Sequence, residues 1–138
     1  MNNLIDLPKD ESIEAKKIRK AFIIAFYSQW IAINPSKQVY NKSLNDFINV
    51  RFLSIQETAG HASHTYKSTI AVTCLTEVLK NSTYVTTVTP KSENKNQQRF
   101  SKILVMEYSK EGFEKIKLTV GVLRGSKQKL QYCITAIE

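Results

Sequence analysis

Two runs of alternating apolar and polar residues constrain the fold more than any other feature of the sequence. In residues 115–122, and again in residues 130–137, side chains of the two kinds alternate one by one. A period of two is typical of a strand with one buried face. Gly125 and Ser126 lie between the runs and suit a turn. The sequence therefore predicts a β-hairpin. Its apolar side comprises Ile116, Leu118, Val120, Val122, Leu130, Tyr132, Ile134 and Ala136.

A helix is predicted ahead of this hairpin, over residues 10–33. Asp10 or Ser12 suits its start, because a short polar side chain can accept from the free N–H groups of the first turn. The helix should stop before Pro35, since the residue that precedes proline avoids helical angles. Its core-facing residues are expected to be Phe22, Phe26, Trp30 and Ile33.

The middle of the chain predicts more helix and then two further strands. Residues 57–82 form a helical region, as one long helix or two shorter ones. Residues 47–55 fit a short strand or a run into that helix. Residues 83–90 are β-branched and aromatic and predict a strand. A second strand is expected over residues 100–108, after a polar loop at residues 91–98.

Together these elements predict an α+β fold, in which two or three N-terminal helices pack on one face of a four-stranded antiparallel meander sheet. Residues 34–42, which contain Asn-Pro, predict a turn that connects the first two parts. At 138 residues, a single domain over residues 1–138 is expected. Its first nine residues are expected to form a flexible tail.

The charge balance favours an anionic partner. The formal net charge is +8, and hydrophobic residues make up an ordinary 42% of the chain. From Lys91 onward there are ten Lys or Arg against five Glu, so the strand region carries +5 of this excess. A basic sheet suits nucleic acid or an anionic membrane surface. The alternative is that the charge serves solubility alone.

The cysteines and the apolar segment 21–33 point to a reducing compartment rather than to a membrane. Cys74 and Cys133 fit no metal or disulfide spacing, so buried thiols are expected. The apolar segment is too short to span a bilayer, and no small-residue cleavage site follows it. We expect a core helix in a cytoplasmic protein.

Residues 61–69 hold the densest group of reactive side chains. A histidine beside a lysine suits acid–base work on a phosphodiester, because one group moves protons while the other neutralises developing charge. The alternative is a solvated helix face that ends in a cap. The candidate catalytic residues are His61, His64, Lys67, Ser68 and Thr69.

No metal or cofactor is expected beside these histidines. His61 and His64 are three residues apart, but apart from Glu57 no nearby carboxylate or thiol completes a ligand set. The four glycines are too dispersed for a phosphate-binding loop.

The polar side of the predicted sheet is a second candidate surface. Lysines there supply positive charge and Thr and Gln supply hydrogen bonds, which together suit a phosphate backbone. An ordinary solvent-facing sheet has the same look. The candidate nucleic-acid-binding residues are Lys102, Lys115, Lys117, Thr119, Lys129, Gln131 and Thr135.

Several short segments carry a resemblance to a known family. These are residues 57–58, 66–69, 118–122 and 131–135. They resemble a domain of phage and mobile-element polyvalent proteins, mostly from Bacteroidetes, that is grouped with the barnase/EndoU/colicin/RelE-like nuclease superfamily. The resemblance spans roughly residues 34–138. It implies two helices before a four-stranded antiparallel sheet, and metal-independent RNA cleavage by residues of the second helix and the sheet.

Three functions are therefore kept open. The first is a ribonuclease-like domain of a mobile element or phage that acts on RNA. The second is a non-catalytic module that binds nucleic acid or a protein partner. The third is a toxin–antitoxin-like interaction protein.

Overall fold

The structure is a computed structural model that describes residues 7–137. In this part of the chain, four helices accompany one six-stranded mixed sheet. The helices are α1 (Ile13–Ile33), α2 (Phe52–Ala62), α3 (Tyr66–Val72) and α4 (Leu75–Asn81). The strands are β1 (Gln38–Asn41), β2 (Asp46–Asn49), β3 (Thr83–Val88), β4 (Phe100–Tyr108), β5 (Lys115–Leu123) and β6 (Lys129–Ile137). The α+β class is confirmed, whereas the number of elements differs from the prediction.

The sheet has two more strands than predicted. Strands β3 to β6 pair antiparallel in chain order, but β1 and β2 form a further hairpin, which gives the order β1-β2-β6-β5-β4-β3. Strand β2 runs parallel to β6 and pairs with it only at Ile48–Lys129 and Asn49–Leu130. The predicted turn at residues 34–42 thus contains β1. Strands of four residues are too short for a period of two to stand out.

The helical region 57–82 is neither one helix nor two. It contains the end of α2 and all of α3 and α4. The Thr65 hydroxyl caps α3 by accepting from the Ser68 N–H at 3.1 Å, and Thr73 and Cys74 separate α3 from α4. Hydroxyl side chains that bind nearby backbone groups favour helix ends over helix interiors.

Helix α1 begins as predicted but turns a different side to the core. The Ser12 hydroxyl accepts from the Ala15 N–H at 3.1 Å. The buried residues are Ala15, Arg19, Ile23, Tyr27 and Trp30. Of the predicted core residues only Trp30 is among them, since Phe22 and Phe26 are half-buried and Ile33 is 79% exposed. The helix has apolar residues of its own on every side, so periodicity alone does not determine which side is buried.

Buried Arg19 fixes α1 against the segment after α2. Its guanidinium donates to the Ser63 carbonyl at 2.8 Å, to the Pro8 and Asp10 carbonyls, and to the His64 carbonyl at 3.2 Å. Of the predicted flexible tail, residues 1–6 lie outside the described residues, and Leu7 is buried.

A β-bulge in β6 changes which side chains face the helices. Thr119 lies opposite Cys133, but Val120 lies opposite Gln131, so Tyr132 is the extra residue. The strict alternation predicted for residues 130–137 is therefore wrong. Because of the extra residue, Leu130 and Tyr132 lie on the outer face and not on the helix side with Ile134. Gln131 lies on the helix side, and Tyr132 packs on the outer side with Phe100.

Gln131 is the centre of a buried hydrogen-bonded chain that joins α1, β6 and α2. The Tyr27 hydroxyl donates to Gln131 Oε1 at 2.7 Å, and Gln131 Nε2 donates to Thr58 Oγ1 at 2.7 Å. The Thr58 hydroxyl in turn donates to the Tyr132 carbonyl at 3.5 Å. Burial raises the pKa of Tyr27, so its phenol stays protonated and donates.

The outer face of the sheet has a small core of its own, which includes Phe100, Ile103, Leu130 and Tyr132. Phe100 lies directly on Gly121, where an added Cβ would come within 2.4 Å of the ring. The rings of Phe100 and Tyr132 meet edge to face with centroids 5.4 Å apart. Because Gly121 has no side chain, the Phe100 ring can lie against the sheet at this point and pack on the Tyr132 ring.

We expect Gln131→Leu to lower the free energy of unfolding by about 2–4 kcal/mol, because the Tyr27 and Thr58 hydroxyls would lose partners inside the protein. Urea unfolding measures this change. The matched control is Gln29→Leu, the same substitution on the exposed side of α1, which should stay within about 0.5 kcal/mol of the parent. If the two substitutions lowered the free energy of unfolding equally, the hydrogen bonds of Gln131 would not be what stabilises the fold.

An acid-sensitive contact joins α4 to the turn after β4. Hydrogen bonds from the Tyr108 hydroxyl and then from Lys110 hold the pKa of Glu77 below its ordinary value of 4.5. A carboxylate with a lowered pKa stabilises the fold above its unfolded pKa, and this contribution is lost as pH falls through the folded pKa.

Glu77→Gln should therefore destabilise the protein at neutral pH and have a shrinking effect as the pH falls below about 4. Thermal unfolding of both proteins from neutral to acidic pH tests this. Glu111→Gln is the control, since Glu111 is exposed and forms no ion pair with another described residue. A Glu77→Gln effect that stays constant with pH would show that the charge of Glu77 is not what stabilises the contact.

Candidate functional site

One cavity of about 310 Å³ lies where α2, the outer face of β5 and β6, and the loop before β4 meet. It is the cleft in which the sequence-predicted residues gather most densely, and we call it the outer-face cavity. Its lining residues are His61, Lys91, Asn94, Gln97, Lys117, Thr119, Tyr132, Cys133 and Thr135.

Helix α2 contributes a carboxylate–imidazole pair. Glu57 and His61 are one helical turn apart, and Glu57 Oε1 lies 3.5 Å from His61 Nε2. The Glu57 side chain is only 14% exposed, whereas that of His61 is 60% exposed and lines the cavity. The second oxygen of Glu57 accepts from Asn96 Nδ2 at 2.7 Å. The carboxylate is thus fixed behind the imidazole.

The sheet contributes a row of polar side chains to the opposite wall. Lys117 lies opposite Thr135, and Thr119 lies opposite Cys133. Directly opposed residues of antiparallel strands project from the same face. The Thr119 hydroxyl donates to the Cys133 carbonyl at 3.4 Å, so Lys117 and Thr135 are the more available polar groups of this row.

Tyr132 and Cys133 keep their protons in this cavity. Burial, followed by a hydrogen bond with Glu57 and its charge, raises the pKa of Tyr132 to about 12. Burial, followed by the charge of Glu57, raises the pKa of Cys133 to about 12. Tyr132 is therefore protonated at neutral pH, and Cys133 is a poor nucleophile because nucleophilic attack needs the thiolate. Cys133 and Cys74 are both free and half-buried.

Positive charge in the cavity is in excess. Lys91 comes from the loop and Lys117 from β5, and neither forms an ion pair with any residue between 7 and 137. The loop is closed by its own contacts, since the Lys91 N–H donates to Gln97 Oε1 at 2.7 Å. Two unpaired ammonium groups that face one cleft suit an anion.

Only some of the sequence-predicted residues meet here. His61, Lys117, Thr119 and Thr135 line the cavity. Lys115 shares the outer face but is paired with Glu107 at 3.1 Å.

The other helical candidates lie elsewhere. His64 is exposed and does not line the cavity. The Lys67 ammonium lies 6.0 Å from the centre of the Phe113 ring. Ser68 and Thr69 are buried: the Ser68 hydroxyl accepts from the Ala136 N–H, and the Thr69 hydroxyl donates to the Ala62 and Thr65 carbonyls. The first turn of α3 places Ser68 and Thr69 inward, where their hydroxyls bind backbone groups.

The remaining sheet candidates are absent from the outer face. Gln131 is buried on the helix side by the bulge. Lys102 and Lys129 both lie opposite Val122, whose side chain belongs to the core on the helix side. The predicted single basic surface is therefore divided between two faces of the sheet.

Glu57, Lys91 and Tyr132 are the important residues that sequence reasoning did not assign. Glu57 precedes His61 by four positions, a spacing that pairs side chains on a helix, so a signal for it was present. Lys91 comes from a loop whose path no periodicity shows. Tyr132 falls at an apolar position of the alternating pattern, and a bulge leaves no mark in such a pattern.

Residues 7–137 show neither a metal-ligand cluster nor a membrane-spanning helix. Among them, no three His, Cys, Asp or Glu side chains come together as ligands would. Their longest helices are also too short or too polar to cross a bilayer.

Comparison of this chain with family models, with curated proteins and with solved structures gives no match. The geometry of the outer-face cavity therefore carries the functional argument.

Proposed function

We propose that this protein is a metal-independent ribonuclease whose active site is the outer-face cavity. The observation that carries the proposal is the convergence on one cleft of the Glu57–His61 pair, a protonated phenol and two lysines that pair with no carboxylate of residues 7–137. The same chemistry is what the sequence's resemblance to a phage and mobile-element domain, grouped with the barnase/EndoU/colicin/RelE-like nuclease superfamily, implies.

The reaction is attack of a ribose 2′-hydroxyl on the adjacent phosphate. His61 takes the proton of the 2′-hydroxyl, and Glu57 stabilises the imidazolium that forms. A new bond forms between the 2′-oxygen and phosphorus, and the bond to the 5′-oxygen of the next nucleotide breaks. Tyr132 gives its proton to that leaving oxygen. The products are a 2′,3′-cyclic phosphate and a free 5′-hydroxyl.

The lysines act on the phosphate itself. Negative charge accumulates on the non-bridging oxygens as the 2′-oxygen adds. Lys91 and Lys117 face the cleft without a carboxylate partner in the described chain, so their charge is available to these oxygens. The Thr135 hydroxyl, on the same row as Lys117, can donate to them as well.

A binding module without catalysis is the second candidate. The His61 side chain is 60% exposed. An imidazole that is this exposed to water can contact a phosphate without being held in position to react. In that case the cleft would retain RNA and leave it intact.

The test is incubation of the purified chain with end-labelled RNA in EDTA at several pH values, with products separated on a gel. We expect fragments that end in 2′,3′-cyclic phosphate. His61→Ala should slow cleavage by about 10²–10⁴-fold, the usual contribution of a general base. Glu57→Gln and Lys117→Gln should each slow it by a smaller factor.

His64→Ala is the matched control, because His64 is an exposed histidine three positions away that does not line the cavity. It should cleave as the parent does, with an unchanged thermal midpoint in all variants. RNA that is retained on a filter but never cut would replace the ribonuclease with the binding module. Cleavage that survives His61→Ala would remove this cavity as the active site.

A further inference from the structure

A second group of lysines lies on the opposite face of the sheet from the outer-face cavity. Lys102 of β4 and Lys129 of β6 are both paired in register with Val122 of β5. Directly opposed residues are about 5 Å apart between Cα atoms, so the two lysines flank Val122 at a separation of about 10 Å. Two lysine side chains at this spacing can reach one anion.

These residues line a cleft of their own, about 410 Å³ in volume. Lys127, from the turn between β5 and β6, adds a third ammonium group to it, and Leu104 and Val122 contribute apolar wall. Lys127 has a positive φ of 61°, a conformation that glycine and asparagine adopt more readily than lysine. The turn thus has a lysine where the backbone does not favour one.

Charge in this cleft is only partly balanced. Lys129 donates to Asp46 Oδ2 at 2.7 Å, and no other carboxylate of residues 7–137 is paired with a lysine of this cleft. Lys102 and Lys127 form no ion pair with any residue in the described range. Arg51 adds another cation nearby, where its Nη2 donates to Gln128 Oε1 at 2.9 Å.

We propose that Lys102, Lys127 and Lys129 form a phosphate-backbone site that holds nucleic acid on the face opposite the outer-face cavity. Ammonium groups act as point charges and suit phosphate oxygens, and none of the residues that line this cleft is aromatic. The site therefore recognises the phosphate backbone and not the base, and it does not distinguish RNA from DNA by the 2′-hydroxyl. Its existence does not depend on RNA cleavage at the other face.

The experiment measures binding of a fluorescein-labelled thymidine oligonucleotide to the full chain by fluorescence anisotropy over a range of salt concentrations. DNA has no 2′-hydroxyl, so the proposed cleavage reaction cannot occur during the measurement. The double variant Lys102→Gln/Lys127→Asn removes two charges, leaves the Lys129–Asp46 pair intact, and places asparagine where φ is positive.

We expect this double variant to bind at least about tenfold more weakly and to lower the slope of log Kd against log salt by about 1.4, or about 0.7 for each lost phosphate contact to a single strand. The matched control is Lys17→Gln/Lys20→Gln, which removes two exposed charges from α1. It should leave the salt slope unchanged. All variants should keep the parent's thermal midpoint.

Two results would overturn the proposal. One is equal weakening by both double variants, which would mean that overall charge and not this cleft attracts DNA. The other is absence of DNA binding by the parent at low salt. Failure of the RNA-cleavage assay would leave a positive result here intact, because the two assays use different substrates and different residues.

Discussion

The buried chain from Tyr27 through Gln131 to Thr58 is the interaction on which the rest of the structure depends. Strand β2 pairs with only two residues of β6, so among the strands of residues 7–137 none lies beside most of that side of β6. Helices α2 and α3 cover it, and their hydroxyl groups take the place of a strand's backbone: Thr58 donates to the Tyr132 carbonyl, and Ser68 accepts from the Ala136 N–H. This arrangement sets α2 beside the outer face, where Glu57 and His61 meet the sheet.

The sequence predicted the elements that are long and regular. Helix α1, the strands β3 to β6 and the α+β class followed from periodicity, caps and turn residues, because those signals are local. The β1–β2 hairpin and the three-helix division of residues 52–81 did not, since they depend on short strands and on hydroxyl groups that satisfy distant backbone atoms. The buried side of α1 also depends on the rest of the structure. Arg19 is buried because four backbone carbonyls accept hydrogen bonds from its guanidinium, and hydrophobicity does not predict this.

Some of the residues that line the outer-face cavity could be predicted from the sequence, whereas the chemistry proposed for it stays a prediction. His61, Lys117, Thr119 and Thr135 converge as a helix face and a sheet face can. The bulge at Tyr132 is the main reason for the differences, because it moved Gln131 into the core and brought Tyr132 to the cavity. A one-residue irregularity of this kind changes no residue type and no spacing, so only the paired strands show it.

The pairing of β2 with β6 has a consequence for the order in which the protein can form during synthesis. Ile48 cannot pair until Lys129 has been synthesised, and Thr58 and Tyr27 cannot form their hydrogen bonds until Gln131 has been. These contacts of large sequence separation therefore form last. A chain that emerges from the ribosome from its N-terminus can form α1 and α2 early but has no partner for their buried polar groups. Glu57 and His61 are therefore translated long before the wall that faces them, and the cavity exists only once β6 is free to join the sheet.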